Sequence, residues 1–138
     1  MRFADKEDLF AVLGGFFEEL PSSPHGALIH RVGGAVLFVF HRPEARILWE
    51  PLMHGPPEFA VRYDADVPTP LLTFEQDADI AHRFWLGEID LQDALARQQI
   101  RARGPMARAM KLIPQLDPVY AEYHAYLERH PSTGGERP

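Results

Sequence analysis

The sequence predicts an α+β fold, with helices and a mainly antiparallel sheet of about five strands. Three observations predict it. Apolar residues recur at helical spacing between residues 5 and 20, and short apolar or alternating runs separated by turn residues fill residues 35–74. Helical and strand patterns then alternate up to residue 116. The 138 residues suit one domain over residues 1–130, and the polar, Gly-rich residues 131–138 are predicted to be a disordered tail.

The first helix is predicted to begin at Asp5, a residue type that caps helix N-termini. Gly14 and Gly15 weaken this helix by about 1 kcal/mol each relative to Ala. Either the backbone packs closely against a neighbour there, or the helix bends, or the fold tolerates the cost. We favour the tolerated cost. The apolar stripe of the helix is Leu9, Leu13, Phe16, Phe17 and Leu20.

A β region follows the first helix. Its most apolar run is typical of a central strand buried on both faces. Arg42, Pro43 and Glu44 predict a hairpin turn after it, and in the next strand Ile47 and Trp49 share one face. Residues 27–32 are a short strand or only a lead-in. The predicted strands are residues 35–41, 46–50, 59–63 and 71–74.

The second half of the chain combines helices with a last strand. A helix over residues 80–85 ends at Leu86-Gly87, and Asp90 caps a short helix after it. Residues 100–104 alternate like a half-buried strand. Pro105 suits the first position of the next helix. The apolar stripe of that helix is Met106, Ala109, Met110 and Ile113.

These patterns carry a resemblance over residues 72–116. The segments follow one another in this order. Leu-Thr-Phe at residues 72–74 comes first, then an acidic helix that ends at Leu86-Gly87, and then a short helix. After these come Ile100-x-Ala102-x-Gly104 and Met106-x-x-Ala109-Met110-Lys111-Leu112. This order resembles the C-terminal half of the sterol carrier protein type-two family. The resemblance implies helices covering one face of the sheet and a hydrophobic tunnel or cavity between the two layers. It also implies binding of a lipid-like molecule without catalysis.

The apolar residues of the predicted strands and helices supply the candidate lipid-binding site. They either pack only on one another or, as the resemblance implies, surround a cavity. Met106 and Met110 are flexible enough to repack around different ligands. The candidate residues are Phe38, Phe40, Phe59, Val61, Leu72, Phe74, Phe84, Trp85, Ile100, Met106, Met110 and Ile113.

A second candidate site is a run of positive charge from Ala94 to Leu116, a window that contains no Asp or Glu. One interpretation is a solvated basic face offset by acidic neighbours elsewhere, and we favour it slightly. The other is a site for a lipid headgroup, an anion or an anionic membrane surface. Its candidate residues are Arg101, Arg103, Arg108 and Lys111.

Charge and composition exclude several function classes. The net charge of −6 argues against nucleic acid as a partner, and without cysteine there is no thiol chemistry or disulfide. The N-terminus lacks the apolar core of a signal peptide, so a cytoplasmic location is expected. The sequence leaves open a homodimer and transient contact with a membrane surface.

Catalytic and metal motifs are absent from the sequence. None of the His residues are three or four positions apart, and no serine stands in a Gly-x-Ser-x-Gly motif. We interpret the acidic residues Glu75, Asp77 and Asp79 as capping the helix that follows them. No cofactor or metal is expected.

Two functions are consistent with these observations. The favoured one is non-catalytic binding, with transfer inside the cell, of a sterol, fatty acid, acyl-CoA, isoprenoid or quinone. The alternative is a protein-interaction or accessory module of a lipid-modifying pathway, with a filled core and no ligand. An enzyme acting alone ranks third.

Overall fold

A mixed sheet forms the centre of the molecule, which the computed structural model describes over residues 3–23, 26, 31–55, 58–65, 69–112, 114 and 116–129. Its strands lie in the order β3-β2-β1-β4-β5, with the predicted apolar strand β1 in the middle. In this position β1 pairs with a neighbouring strand along both of its edges, which suits a strand that is apolar on both faces. In the described part of the chain the strands are β1 (Val36–His41), β2 (Ala45–Pro51), β3 (Phe59–Tyr63), β4 (Leu72–Asp77) and β5 (Ile100–Arg103).

Among these strands, β1 and β4 are parallel and the other neighbours are antiparallel. Phe38 of β1 therefore lies opposite Ile47 of β2 on one side and Phe74 of β4 on the other. A parallel pair needs a crossover connection, which the chain makes by way of β2 and β3. The predicted α+β fold with a mainly antiparallel five-stranded sheet is confirmed.

The strand β4 is longer than predicted, because its last three residues continue the pairing with β1. The interpretation of Glu75, Asp77 and Asp79 as a capping cluster is therefore wrong for the first two. Glu75 belongs to the strand. Asp77 stands at the helix N-cap position, but its side chain makes no capping hydrogen bond and forms an ion pair with Arg42 instead.

Two helix starts and one helix end follow the predicted caps. The backbone N–H of Asp8 donates to Asp5 Oδ1 (N···O 2.8 Å), and that of Asp93 donates to Asp90 Oδ2 (3.0 Å). Gly87 ends a helix with φ of +82°, which favours glycine. The described helices are α1 (α-helical Lys6–Leu9, π-helical Phe10–Gly14 and α-helical Gly15–Glu19), α2 (Ala78–Trp85), α3 (Leu91–Ala96), α4 (Met106–Leu112) and α5 (Asp117–Arg129).

The two glycines of α1 are positions of close packing. A Cβ on Gly14 would lie 2.5 Å from Cε1 of Tyr63, and a Cβ on Gly15 would collide with Oη of Tyr126. The interpretation of these glycines as a merely tolerated cost is wrong. Glycine lets two aromatic side chains rest directly on the helix backbone, and α1 is π-helical immediately before Gly15.

An aromatic core joins α1 and α2 to the inner face of the sheet. The ring centroid of Phe17 in α1 is 5.3 Å from that of Phe38 and 4.9 Å from that of Trp49. Trp85 of α2 is 5.9 Å from Trp49 and 5.4 Å from Phe17. Because side chains alternate across a strand, these residues place the helices on the face that carries Val36, Phe38 and Trp49.

The opposite, outer face of the sheet is more polar but not uniformly exposed. Leu48 is only 1% exposed there and its partner Leu37 is also buried, whereas Val39 is half-buried. The predicted central strand is thus buried on both faces over most of its length. The possible strand at residues 27–32 falls mainly, and the tail at residues 131–138 entirely, outside the described residues.

Candidate ligand-binding site

An apolar cavity of about 50 Å³ lies between the inner face of the sheet and the helices. The wall formed by the strands consists of Val36, Phe38, Trp49, Leu72, Phe74, Gln76 and Ile100. The remaining described wall residues, from helices and loops, are Val32, Ala81, Phe84, Trp85, Leu91, Ala109 and Leu116. Within this set the only polar side chains are the indole N–H groups and the amide of Gln76, and none carries a charge.

Part of the predicted lipid-binding set lines this cavity: Phe38, Leu72, Phe74, Phe84, Trp85 and Ile100. The other predicted residues lie elsewhere. Phe40 and Phe59 are buried in the core, and Val61 and Met106 are half-buried against it. Met110 is half-buried and does not line the cavity, and Ile113 is outside the described residues.

Two small helical residues line the cavity beside Phe84, Trp85 and Leu91, and neither Met106 nor Met110 does. Ala81 of α2 and Ala109 of α4 are both buried and both line it. An alanine at a helix–sheet contact leaves space that a larger side chain would fill. Sequence reasoning placed Ala109 on the apolar stripe of α4 but assigned the ligand contacts to its larger neighbours.

Trp49 is the most informative wall residue that the predicted set omits. The alternation of the strand predicted that Ile47 and Trp49 share one face, and that was the signal that could have found it. The structure shows this face to be the inner one. Its indole is 3% exposed, and its Nε1 has no hydrogen-bond partner in the described part of the chain. Four aromatic rings surround it at centroid distances of 4.6–5.9 Å: Phe17, Phe38, Phe59 and Trp85.

A polar depression of about 220 Å³ adjoins one end of the cavity. Gln76 lines both spaces, and it is 6% exposed with its Nε2 3.4 Å from the carbonyl oxygen of Val39. The wall of the depression also includes His41, Glu75 and Arg101. Gln76 therefore separates the apolar interior from a charged surface.

Glu75 is the centre of that charged surface. Its Oε2 lies 2.6 Å from Nε2 of His41 and 3.2 Å from a guanidinium nitrogen of Arg101, and its Oε1 lies 3.8 Å from one of Arg103. Nδ1 of His41 lies 2.9 Å from Glu44. The hydrogen bond to Glu75, then that to Glu44, raises the pKa of His41. The hydrogen bond from His41, helped by the two arginines, lowers the pKa of Glu75.

The predicted basic patch divides between two surroundings. Arg101 and Arg103 lie near Glu75 on the outer face of the sheet. Arg108 of α4 donates a hydrogen bond of 3.0 Å to the carbonyl oxygen of Val32, a cavity wall residue, and Lys111 is exposed on the same helix. Arg108 therefore lies beside the cavity, and its described contact is with a backbone carbonyl rather than a carboxylate.

The C-terminal helix α5 packs mainly on other helices. Nδ1 of His82 in α2 lies 2.7 Å from Oη of Tyr123, and Oη of Tyr126 donates to the carbonyl oxygen of Ala11 in α1 at 3.1 Å. Leu116, immediately before α5, lines the cavity. The helix thus supports the inner layer and adds to the cavity wall at its start.

Two further features of the described residues bear on function. They contain no group of three or more His, Cys, Asp or Glu side chains arranged to hold a metal ion. None of the helices among them has the length and apolar character needed to cross a membrane.

Solved structures share this arrangement of sheet and helices. The sterol carrier protein domain 2 of Helicoverpa armigera matches 83% of this chain and 89% of its own, with a TM-score of 0.64 and 20% identity. The chain has the sterol carrier protein 2 fold. Sterol carrier protein 2 from Yarrowia lipolytica, in its apo form, matches 84% of this chain and 94% of its own (TM-score 0.58, 11% identity).

A third structure with the sterol carrier protein 2 fold is the ubiquinone synthesis protein UbiJ-SCP2. It matches 83% of this chain and 89% of its own, with a TM-score of 0.54 and 10% identity. No protein-family model and no curated protein matches the sequence. The resemblance predicted from residues 72–116 is confirmed at the level of the fold, and it extends over most of the chain.

Proposed function

We propose that this protein binds a long, lipid-like molecule between the sheet and the helices, and transfers it within the cytoplasm without catalysing a reaction. The observation that carries the proposal is an uncharged, almost wholly apolar cavity at this position in a sterol carrier protein 2 fold. Each methylene group buried in such a space contributes about 0.8 kcal/mol. A long chain can therefore bind by burial alone.

Binding requires the cavity to expand. Its volume of about 50 Å³ is well below the roughly 300–1,000 Å³ of sites that enclose small-molecule ligands. The helix best suited to move is α4. It is only Met106–Leu112, and among its described side chains Ala109 alone is fully buried. Displacing α4 would expose less apolar surface than displacing α2, which buries Phe84 and Trp85.

Arg108 and Lys111 supply the proposed contact with a headgroup or with an anionic membrane surface. Both are exposed on α4, the helix that we propose to move, and Arg108 reaches the cavity wall at Val32. A basic residue close to an anionic membrane contributes about 1 kcal/mol to attraction. Arg101 and Arg103 are weaker candidates, because Glu75 offsets part of their charge.

The alternative function, an interaction or accessory module with a filled core, is favoured by the small size of the cavity. A space of about 50 Å³ also suits a domain that never opens. In that case partners would bind the outside of the molecule, and the apolar wall residues would serve stability only.

Native mass spectrometry of gently purified protein distinguishes the two functions. The carrier function predicts a second mass, higher by that of a lipid and removed by delipidation. It also predicts that the delipidated protein takes up an added long-chain lipid. An unchanged mass after purification and after incubation with lipid, together with a defined protein partner or oligomer, would favour the accessory module.

A further inference from the structure

Nε1 of Trp49 is a buried hydrogen-bond donor with no partner in the described part of the chain. The indole is 3% exposed and forms part of the cavity wall. Buried N–H groups of tryptophan usually find an acceptor, because burial removes their hydrogen bonds to water. An acceptor atom placed beside Nε1 would therefore be bound more tightly than an apolar atom at the same position.

The described residues supply no hydrogen-bond acceptor for the N–H of this indole. The rings recorded closest to it are those of Phe38 (4.6 Å between centroids) and Phe17 (4.9 Å). A ring face accepts an N–H hydrogen bond only weakly. The amide of Gln76 is on the far side of the cavity. In the strand register, Trp49 and Leu72 of β4 both pair with Val36 of β1. Gln76 is four residues beyond Leu72, which separates it from the level of Trp49 by roughly 13 Å along the strand, at about 3.3 Å per residue.

Water is also a poor partner for this donor. A buried water is held by about two to four polar groups. Apart from the indole N–H groups and Gln76, the described wall of the cavity is apolar. An oxygen that is covalently joined to an apolar chain does not have this requirement, because the chain holds it in place.

The lack of charged side chains in the described cavity wall restricts which kind of ligand oxygen can lie beside Trp49. No acidic or basic side chain lies among the described wall residues, so a carboxylate or phosphate beside Trp49 would be buried without a counter-charge. The charged groups around Glu75 lie beyond Gln76. A carbonyl, ester or ether oxygen accepts a hydrogen bond and carries no charge, so it fits both the donor and the apolar wall.

We propose that the ligand of this cavity is an uncharged lipid with an oxygen acceptor, and that Nε1 of Trp49 donates a hydrogen bond to that oxygen. This inference rests on the proposed carrier function. It narrows the possible ligands to neutral molecules that carry such an oxygen, and it assigns specificity to Trp49. Ionised fatty acids bind more weakly than their esters.

Three probes of equal chain length test the inference with delipidated protein: methyl tetradecanoate, tetradecanoate and tetradecane. The chain has two tryptophans, so two-dimensional NMR of the indole N–H groups gives two signals, which a Trp85→Phe variant assigns. We expect the proton signal of Trp49 to move downfield with the ester and to move little with the alkane. Trp49→Phe should lower the affinity for the ester relative to that for the alkane by about threefold to tenfold.

The matched control is Trp85→Phe, which also changes a wall residue and should not discriminate between ester and alkane. Binding of ester and alkane with equal affinity and no movement of the Trp49 signal would overturn this inference while leaving the carrier function standing. Tighter binding of tetradecanoate than of its ester would overturn the neutrality of the ligand. Failure of all three probes to bind would overturn the carrier function itself. The NMR titration uses the unaltered protein, so the test holds even if Trp49→Phe does not fold.

Discussion

His41 and Glu75 form a direct link across the parallel strands β1 and β4, with 2.6 Å between Nε2 and Oε2. The link raises the pKa of His41 and lowers that of Glu75. A raised histidine pKa stabilises the fold fully below the ordinary value of 6.5, and this contribution is lost as pH rises through the raised pKa. A lowered glutamate pKa stabilises it fully above 4.5, and this is lost as pH falls through the lowered pKa.

The first prediction follows from the raised pKa of His41 and the lowered pKa of Glu75. His41→Gln should lower the free energy of unfolding most between pH 4.5 and 6.5, and by about 1 kcal/mol or less because the pair is partly exposed. Urea unfolding across a pH series measures it. Arg101→Gln is the control. Its partner Glu75 stays ionised within that pH window and at every higher pH, so the ion pair of Arg101 with Glu75 persists as pH rises. A loss for His41→Gln that continued unchanged to alkaline pH would show that the ion pair is not its cause.

The second prediction concerns the contact of Tyr126 with Gly15. In a free helix Gly→Ala stabilises by about 1 kcal/mol, but here the new methyl group meets Oη of Tyr126. Gly15→Ala should therefore destabilise the protein, by the roughly 1–3 kcal/mol typical of overpacking. Thermal or urea unfolding measures the change.

A double variant provides the control for that contact. Tyr126→Phe removes the colliding oxygen, and with it the hydrogen bond to Ala11. In this background Gly15→Ala should cost much less than it does alone, because the next ring atom of residue 126 lies at an ordinary contact distance. Equal costs in both backgrounds would contradict the packing explanation for this glycine.

Much of the fold could be predicted because its signals are local. The caps at Asp5 and Asp90, the helix end at Gly87 and the apolar or alternating run of each strand depend on neighbouring residues, and the structure confirms them. The extent of β4 could not be predicted in this way. Its last residues look like a helix start in sequence, and only pairing with neighbouring strands keeps them extended.

The cavity was predictable as an apolar region but not as a set of residues. A void forms where side chains from different elements fail to fill the space between them, and that depends on distances absent from any single helix or strand pattern. Ala109 and Ala81 illustrate this, because their small size matters only opposite the sheet. Trp49 illustrates it again: that it shares a face with Ile47 was predictable, but the lack of a partner for its Nε1 among the described residues was not.

The third prediction tests the α4 basic pair. Arg108→Gln with Lys111→Gln should weaken binding to anionic vesicles at low salt, and added salt should abolish the difference from the parent protein. Vesicle co-sedimentation measures binding. Arg62→Gln with Arg129→Gln removes the same charge from β3 and α5, away from α4, and it should have less effect.

Neutral vesicles complete that experiment, since neither double variant should alter binding to them. If the parent protein ignores anionic vesicles, or if both double variants weaken binding equally, the pair on α4 has no special role at a membrane. Thermal unfolding should accompany the assay, because Arg108 also donates to the backbone at Val32.

The fourth prediction concerns the cavity itself. Ala109→Leu should fill space that a ligand would occupy, so uptake of radiolabelled methyl tetradecanoate should fall at least about tenfold, equivalent to about 1.4 kcal/mol of binding free energy. Because the added atoms enter an existing void, the free energy of unfolding should change by less than the roughly 1–3 kcal/mol of overpacking. Ala107→Leu is the matched control, since Ala107 is exposed on the same helix.

Equilibrium uptake of methyl tetradecanoate by the parent protein and these two variants is the most direct measurement of the central claim. We expect the parent and Ala107→Leu to take up the ester alike, and Ala109→Leu to lose uptake while remaining folded. Equal uptake by all three proteins, or a large loss of stability in Ala109→Leu without loss of uptake, would contradict ligand binding between the sheet and α4.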